Sequence, residues 1–331
     1  MNPANKKIVK FLAILITLLL LFLILRNIDF QSVLEILSTI SIPLILIAGM
    51  FALGSAFIRS LRWAYINELK LNNFIPYWKI LNVSYLGNLI FPGRAGELIR
   101  IIGLKKMLDR PLDFATISVL LDRLCDVSIL FVFLLIVMWV EKPGNLGLNN
   151  QFLIIGAILG FGVLLIYLLK NQYYVIISYV SRHSLKFGNF LLNSTSTFFS
   201  IGSQIKKPKN FIIVEFLTIF AFLLDFCLLW IIMIAFHWNL PFMAAITLGV
   251  VLSIGISVPS LPGYIGIYGI ACVIALSFYG IGENQAIAYS IILHIISIFY
   301  TGTAGYLSFV LSDFSKGSLF SKESIFSIIK E

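Results

Sequence analysis

Residues 88–100 read NLIFPGRAGELIR. The stretch ends an apolar segment, breaks it at Pro92-Gly93, and then places Arg94, Glu97 and Arg100 three residues apart. Proline has no backbone donor yet suits the first turn of a helix, and glycine permits tight turns. The spacing therefore predicts a helix over Ala95–Met107, with the N–H groups of its first turn facing the break. A helix start attracts anions. Arg94 adds a fixed cation beside it, and the three charged residues occupy one broad face with one positive charge in excess.

The surroundings of this stretch fix the class. Mean hydropathy is +1.00. Of the 331 residues, 60% are apolar and 12% are charged, about half the ~25% charge of soluble domains. Apolar runs at Ile8–Leu25, Ile42–Ile58, Phe152–Leu169, Phe211–Phe236 and Ala286–Leu311 approach or exceed the ~17–25 residues that span a bilayer. Val127–Val140 reaches that length only if it starts near Asp113, which takes Asp122, Arg123 and Asp126 into the membrane. The expected fold is an all-α polytopic membrane protein with about six full spans. Its membrane domain occupies residues 1–315, and a short cytoplasmic tail follows at 316–331. The first run follows Lys6, Lys7 and Lys10, but Arg-Asn-Ile-Asp after Leu25 offers no small-residue cleavage site, so an uncleaved helix is expected rather than a signal peptide.

The formal charge of +9 does not call for nucleic acid. With alternating spans and a cytoplasmic N-terminus, the cytoplasmic pieces hold 21 of the 24 Lys and Arg: three in 1–10, four in 59–79, five in 94–110, six in 170–209 and three in 316–331. That is a positive-inside bias. It predicts both termini in the cytoplasm and a location in the plasma membrane. The segment 170–209, with Lys206-Lys207-Pro208-Lys209, reads as a surface-lying piece near anionic lipid. Cys125, Cys227 and Cys272 stand singly, so neither a disulfide framework nor a thiolate metal site is indicated.

The Pro-Gly break recurs. PGRAG at 92–96 and PGYIG at 262–266 each follow an apolar segment (Phe74–Phe91; Pro241–Pro259) and precede a helical stretch, the second over Ile265–Gly280. A long run ends each block. Pro92, Gly93 and Gly96, with Pro262, Gly263 and Gly266, are the expected hinges of two broken hairpins. Under the same orientation Ile42–Ile58 and Phe211–Phe236 cross in opposite directions, so blocks of about 42–140 and 211–311 are expected to form an inverted repeat. Paired, interrupted segments of this kind mark central sites in transporters.

A second charged cluster complements the first. In Asp122-Arg123-Leu-Cys-Asp126 the two aspartates share a helix face, and the group sums to one negative charge. Ionisable residues in the bilayer cost at least ~2.5–3.5 kcal/mol, so they face a cavity or one another. The two clusters are expected to meet. They suit either a purely structural lock of ion pairs or a headgroup site in which guanidinium forks hold a phosphate. Tyr264 and Tyr268 supply hydroxyls near the second break, after Ser253, Ser257 and Ser260; Glu215, Asp225 and His294 stand singly in apolar runs, Asp225 the deepest. Candidate substrate-binding residues are thus Arg94, Glu97, Arg100, Asp122, Arg123, Asp126, Tyr264 and Tyr268.

With these residues in view, the chain resembles the membrane-domain family of lysylphosphatidylglycerol synthases, also called flippase-like. The matching features are N-x-x-x-P-G-R-x-G-E-x-x-R (88–100), D-R-x-x-D (122–126) and L-P-G-x-x-G (261–266). Family members often carry a glutamate after the last motif; here Ile267-Tyr268-Gly269 stands instead. The resemblance implies a domain associated with lipid translocation, which in bifunctional members delivers aminoacylated phosphatidylglycerol to the outer leaflet. No large soluble domain follows residue 315, so lipid lysylation itself is not expected. Two classes of function stay open. One is a flippase or transporter for an anionic phospholipid or polyprenyl-phosphate-type lipid. The other is a membrane enzyme or accessory subunit of lipid or glycolipid synthesis, for which Glu97, Asp122 and Asp126 are the clustered acid/base candidates. No cofactor, metal or catalytic residue is indicated. Membrane lipids, and a separate lipid-synthesis enzyme, are the expected partners.

Overall fold

The computed structural model describes residues 30–91, 94–141, 185–205, 207–257, 262–264 and 266–312. The expected spans Ile8–Leu25 and Phe152–Leu169, the hinge residues Pro92 and Gly93, Ser260 and the tail 316–331 lie outside these residues. All the regular structure described is helical. It comprises α1 (Phe30–Ser38), α2 (Ile42–Glu68), α3 (Ile75–Ile90), α4 (Gly96–Leu108), α5 (Leu112–Val140), α6 (Leu185–Ile205), α7 (Pro208–Ala235), α8 (Phe242–Ser257) and α9 (Ile267–Ser277). The last, α10 (Glu283–Val310), contains a π turn at Ser297–Thr301. Among the described residues four helices are long and apolar enough to cross a membrane: α2, α5, α7 and α10.

Local chemistry sets the boundaries. Pro43, Pro76 and Pro208 stand in the first turns of α2, α3 and α7, where the missing N–H costs nothing. Helix α5 begins after Pro111 and carries Asp122, Arg123 and Asp126 inside a 29-residue span, as the hydropathy pattern required. Helix α2 runs ten residues past Ile58. Arg59 and Arg62 are therefore part of a span, not of a loop as the charge count had them.

The long helices pack antiparallel. At one end of the α2–α7 pair the Ser41 N–H donates to the Ala235 carbonyl at 3.3 Å, and at the other the Tyr65 hydroxyl donates to Asn210 at 2.8 Å. Helix α3 runs against the C-terminal half of α10, with the Lys79 ammonium on the Leu311 carbonyl at 2.9 Å and Gly305 against Asn82. Outside the spans, Tyr279 donates to Glu141 at 2.5 Å, tying the foot of α9 to the end of α5. Burial pushes that phenol's pKa up, so it stays a donor at neutral pH.

Helices α3 and α4 form one broken hairpin, and α8 and α9 the other. In the first, the Asn88 side-chain oxygen accepts from the Gly96 N–H at 2.8 Å, so the end of α3 caps the start of α4. A Cβ on Gly96 would collide with the Ser84 carbonyl and with Asn88. The Gly96→Ala variant is expected to lose about 1–3 kcal/mol of stability, read as a lower melting temperature in detergent. In the second hairpin Gly263 and Gly266 take φ of 67° and 87°, the left-handed region that glycine enters freely. The two tips meet: a Cβ on Gly263 would lie 3.6 Å from the Leu89 carbonyl.

Candidate functional site

Asp122 and Asp126 sit near the middle of α5, and the site is built around them. Arg62, reaching across from α2, is fully buried. Its Nε and Nη2 donate to Asp122 Oδ1 at 3.0 and 2.7 Å, and its Nη1 to Asp126 Oδ1 at 2.8 Å. Arg100, on α4, gives Nη2 to Asp122 Oδ2 at 2.7 Å and lies over the Trp63 ring at 4.1 Å. Stacking of this kind suits a weakly hydrated guanidinium away from water. Arg123 pairs with Asp126 at 3.1 Å and with Glu97 and Asp122 at 3.5 Å. Arg59 forks between Asp126 Oδ1 at 2.7 Å and Asp225 Oδ2 at 2.8 Å.

Charge now balances. Four arginines (59, 62, 100, 123) are shared among four carboxylates (97, 122, 126, 225). The network is neutral without outside help, which is what a buried cluster needs when each uncompensated ion costs several kcal/mol. Arg94 stands apart from it. Among the described residues its side chain makes no ion pair or hydrogen bond, and its buried Nε has no partner; its backbone carbonyl accepts from the Glu97 N–H at 3.1 Å. Its φ of 59° is left-handed, a conformation that costs a non-glycine residue about 1–2 kcal/mol. Tyr264, the third residue of the second PGxxG motif as Arg94 is of the first, is likewise left-handed at φ 57°.

Both residues line a cavity of about 510 Å³ between the hairpin tips. Its polar lining includes Arg59, Arg94, Arg123, Asp126 and Asp225, with Tyr85, Asn88, Tyr264 and Tyr268. Apolar residues such as Leu53, Phe226, Leu252 and Ile296 share the rest of the lining with Ser55, Asn82, Ser253 and Ser257. The π turn of α10 brings Ser297, Tyr300 and Thr301 to its wall, and such turns recur at functional sites. Tyr268 donates to Ser297 at 3.1 Å and stacks on His294, whose Nε2 holds the Gly263 carbonyl at 2.6 Å. A neutral ion-pair floor, one spare cation and an apolar wall can receive an amphipathic anion.

Of the residues expected from sequence, Arg94, Arg123, Asp126, Tyr264 and Tyr268 line the cavity. Glu97, Arg100 and Asp122 join the network behind it, Arg100 and Asp122 fully buried. The two charged clusters do meet, through Arg100, Arg123 and Glu97. The sequence reading missed Arg59 and Arg62 as site residues because they end an apolar run. Their spacing of three, complementary to Asp122 and Asp126, was the available signal. Moving Arg59, Arg62, Arg94 and Arg100 from loops into the site leaves 17 of the 21 basic residues in the loop count. Among the described residues no group of His, Cys, Asp and Glu is arranged to hold a metal ion.

Fold and site together define a multi-pass α-helical membrane protein with two broken hairpins around a charged cavity. The chain belongs to the family described as the lysylphosphatidylglycerol synthase TM region, whose profile matches residues 10–305. It is thus a membrane protein of a lipid-related family. No curated protein and no solved structure matches the chain.

Proposed function

We propose that the protein translocates a lipid with an anionic headgroup, an anionic phospholipid or a polyprenyl-phosphate-type lipid, and that the headgroup phosphate binds Arg94 in the cavity. One observation carries this reading: Arg94 is the cation left over when every other charge at the site is paired, and it is held in a strained conformation facing the cavity. A headgroup phosphate supplies the anion that Arg94 lacks. Tyr264 and Tyr85 offer hydroxyls beside it, and the apolar wall accepts the start of the acyl chains. Glu97, Asp122 and Asp126, the carboxylates a membrane enzyme would use, are each engaged by two or three arginines, which favours transport over acid/base chemistry.

The two hairpins act as inverted halves, each closing the cavity toward one leaflet. The antiparallel run of α2 and α7 and the matched left-handed residues Arg94 and Tyr264 support this. Single cysteines at Lys79 and Leu240 are expected to label from opposite faces of the membrane; labelling from one face overturns the inversion. The protein resides in the plasma membrane with cytoplasmic termini and takes its lipid from a separate synthetic enzyme.

The central experiment is reconstitution into vesicles carrying fluorescent headgroup-labelled phosphatidylglycerol. Chemical quenching from outside is expected to erase nearly all the signal, against about half in protein-free vesicles, with the lipid recovered unchanged. A new lipid species points to an enzyme, and neither result to an accessory subunit.

A further inference from the structure

The ion-pair network has one weak member, on the seam between its halves. Asp122 and Asp126 are each held by three arginines, and Glu97 by two. Among the described residues Asp225 has only Arg59. The side chain of Asp225 is 37% exposed, against 2% for Asp122 and 14% for Asp126. Its Oδ1 has no partner among the described residues, and it lines the cavity. Among the described residues Arg59–Asp225 is also the one ion pair that joins the block of α2–α5 to the block of α7–α10.

Arg59 lines the same cavity as Arg94 and Arg123, so a phosphate that enters meets the Arg59 guanidinium as well as that of Arg94. It competes with Asp225 for one arm of the Arg59 fork, because the other arm is fixed to Asp126. Phosphate takes a guanidinium at least as well as a carboxylate does. Once displaced, Asp225 is a bare carboxylate at mid-span, which the membrane interior does not tolerate without a cation. The cations facing it are then engaged, Arg94 by the entering phosphate and the others by carboxylates. Arg59 and, two turns away at Thr218, Arg62 come from α2; Asp126 and Arg123 come from α5. The hairpins add Tyr85, Arg94, Tyr264 and Tyr268. Helix α8 brings no titratable group and α6 only Lys186, in its first turn; α10 brings His294, bound to Gly263, and α7 itself carries Glu215 and Cys227.

We infer that Asp225 is the coupling site: it binds one proton on Oδ1 as the headgroup phosphate takes Arg59 from Oδ2, and it releases that proton when the phosphate leaves. No covalent bond of the lipid changes. The proton enters from the water on the open side and leaves on the other with the headgroup. The Arg59–Asp225 pair, when intact, latches the two halves of the empty protein together. This inference rests on the translocation reading and adds the co-transported ion to it.

The test uses the full chain in vesicles holding a pH-sensitive dye and headgroup-labelled phosphatidylglycerol, under an imposed pH gradient. One proton per lipid shifts the steady-state leaflet ratio about tenfold per pH unit, with matching proton entry. Asp225→Asn is expected to lose both responses, whatever exchange it retains, and Asp225→Glu to restore them. Wild-type exchange that ignores the gradient overturns the coupling while leaving translocation intact, and needs no variant to fold. A response to a Na+ gradient in place of pH, or an Asp225→Asn protein that still moves protons, overturns it as well. If the wild type exchanges no lipid, translocation and coupling fall together.

Discussion

Arg62→Ala is expected to abolish the folded protein. The side chain is fully buried and makes four side-chain contacts, to Asp122, Asp126 and Thr218. Removing it leaves four carboxylates against three arginines, with Asp122 buried away from water. Breaking a buried pair on one side costs about 3–5 kcal/mol, a large share of a typical stability of ~5–15 kcal/mol. Arg62→Lys is expected to fail nearly as badly. An ammonium is a point charge, and cannot address two aspartates and a threonine from one rigid plane. Melting curves in detergent and the yield of monodisperse protein measure the effect. A variant that melts within a degree or two of wild type would mean that the network is slack and that its charges are solvated.

Arg94→Gly has the opposite profile, and the contrast carries the functional argument. Glycine relieves the left-handed strain at this position, so stability is expected to hold or to rise by about 1 kcal/mol. Lipid exchange is expected to fall by roughly 10–100-fold, the worth of one or two charge-assisted hydrogen bonds at ~1.5–3 kcal/mol. Arg94→Lys keeps the charge but loses the fork, and is expected to fall between the two. A residue kept at a cost to the fold, whose removal stabilises and inactivates, is serving a ligand. If Arg94→Gly instead unfolds the protein and Arg94→Lys rescues it fully, Arg94 is a structural counter-charge.

The sequence alone determined the solvent, the helical class and the depth of the acids. Composition and run length require a bilayer, and no spanning helix over Leu112–Val140 can omit Asp122 and Asp126. It also located the two helix breaks, between α3 and α4 and between α8 and α9, because proline and glycine act on their own backbone and need no partner. Tertiary structure decided everything that depends on pairing. Arg59 meets Asp225 across 166 residues and Arg62 meets Asp122 across 60, and no local spacing reports such distances. The same holds for Asn88, which caps α4 from the end of α3. Above all, sequence could count the charges of the site but could not say which one remains. That Arg94 is the surplus follows from neutrality of the other eight, and neutrality is a property of atoms brought within about 3 Å of each other in a medium that cannot screen them.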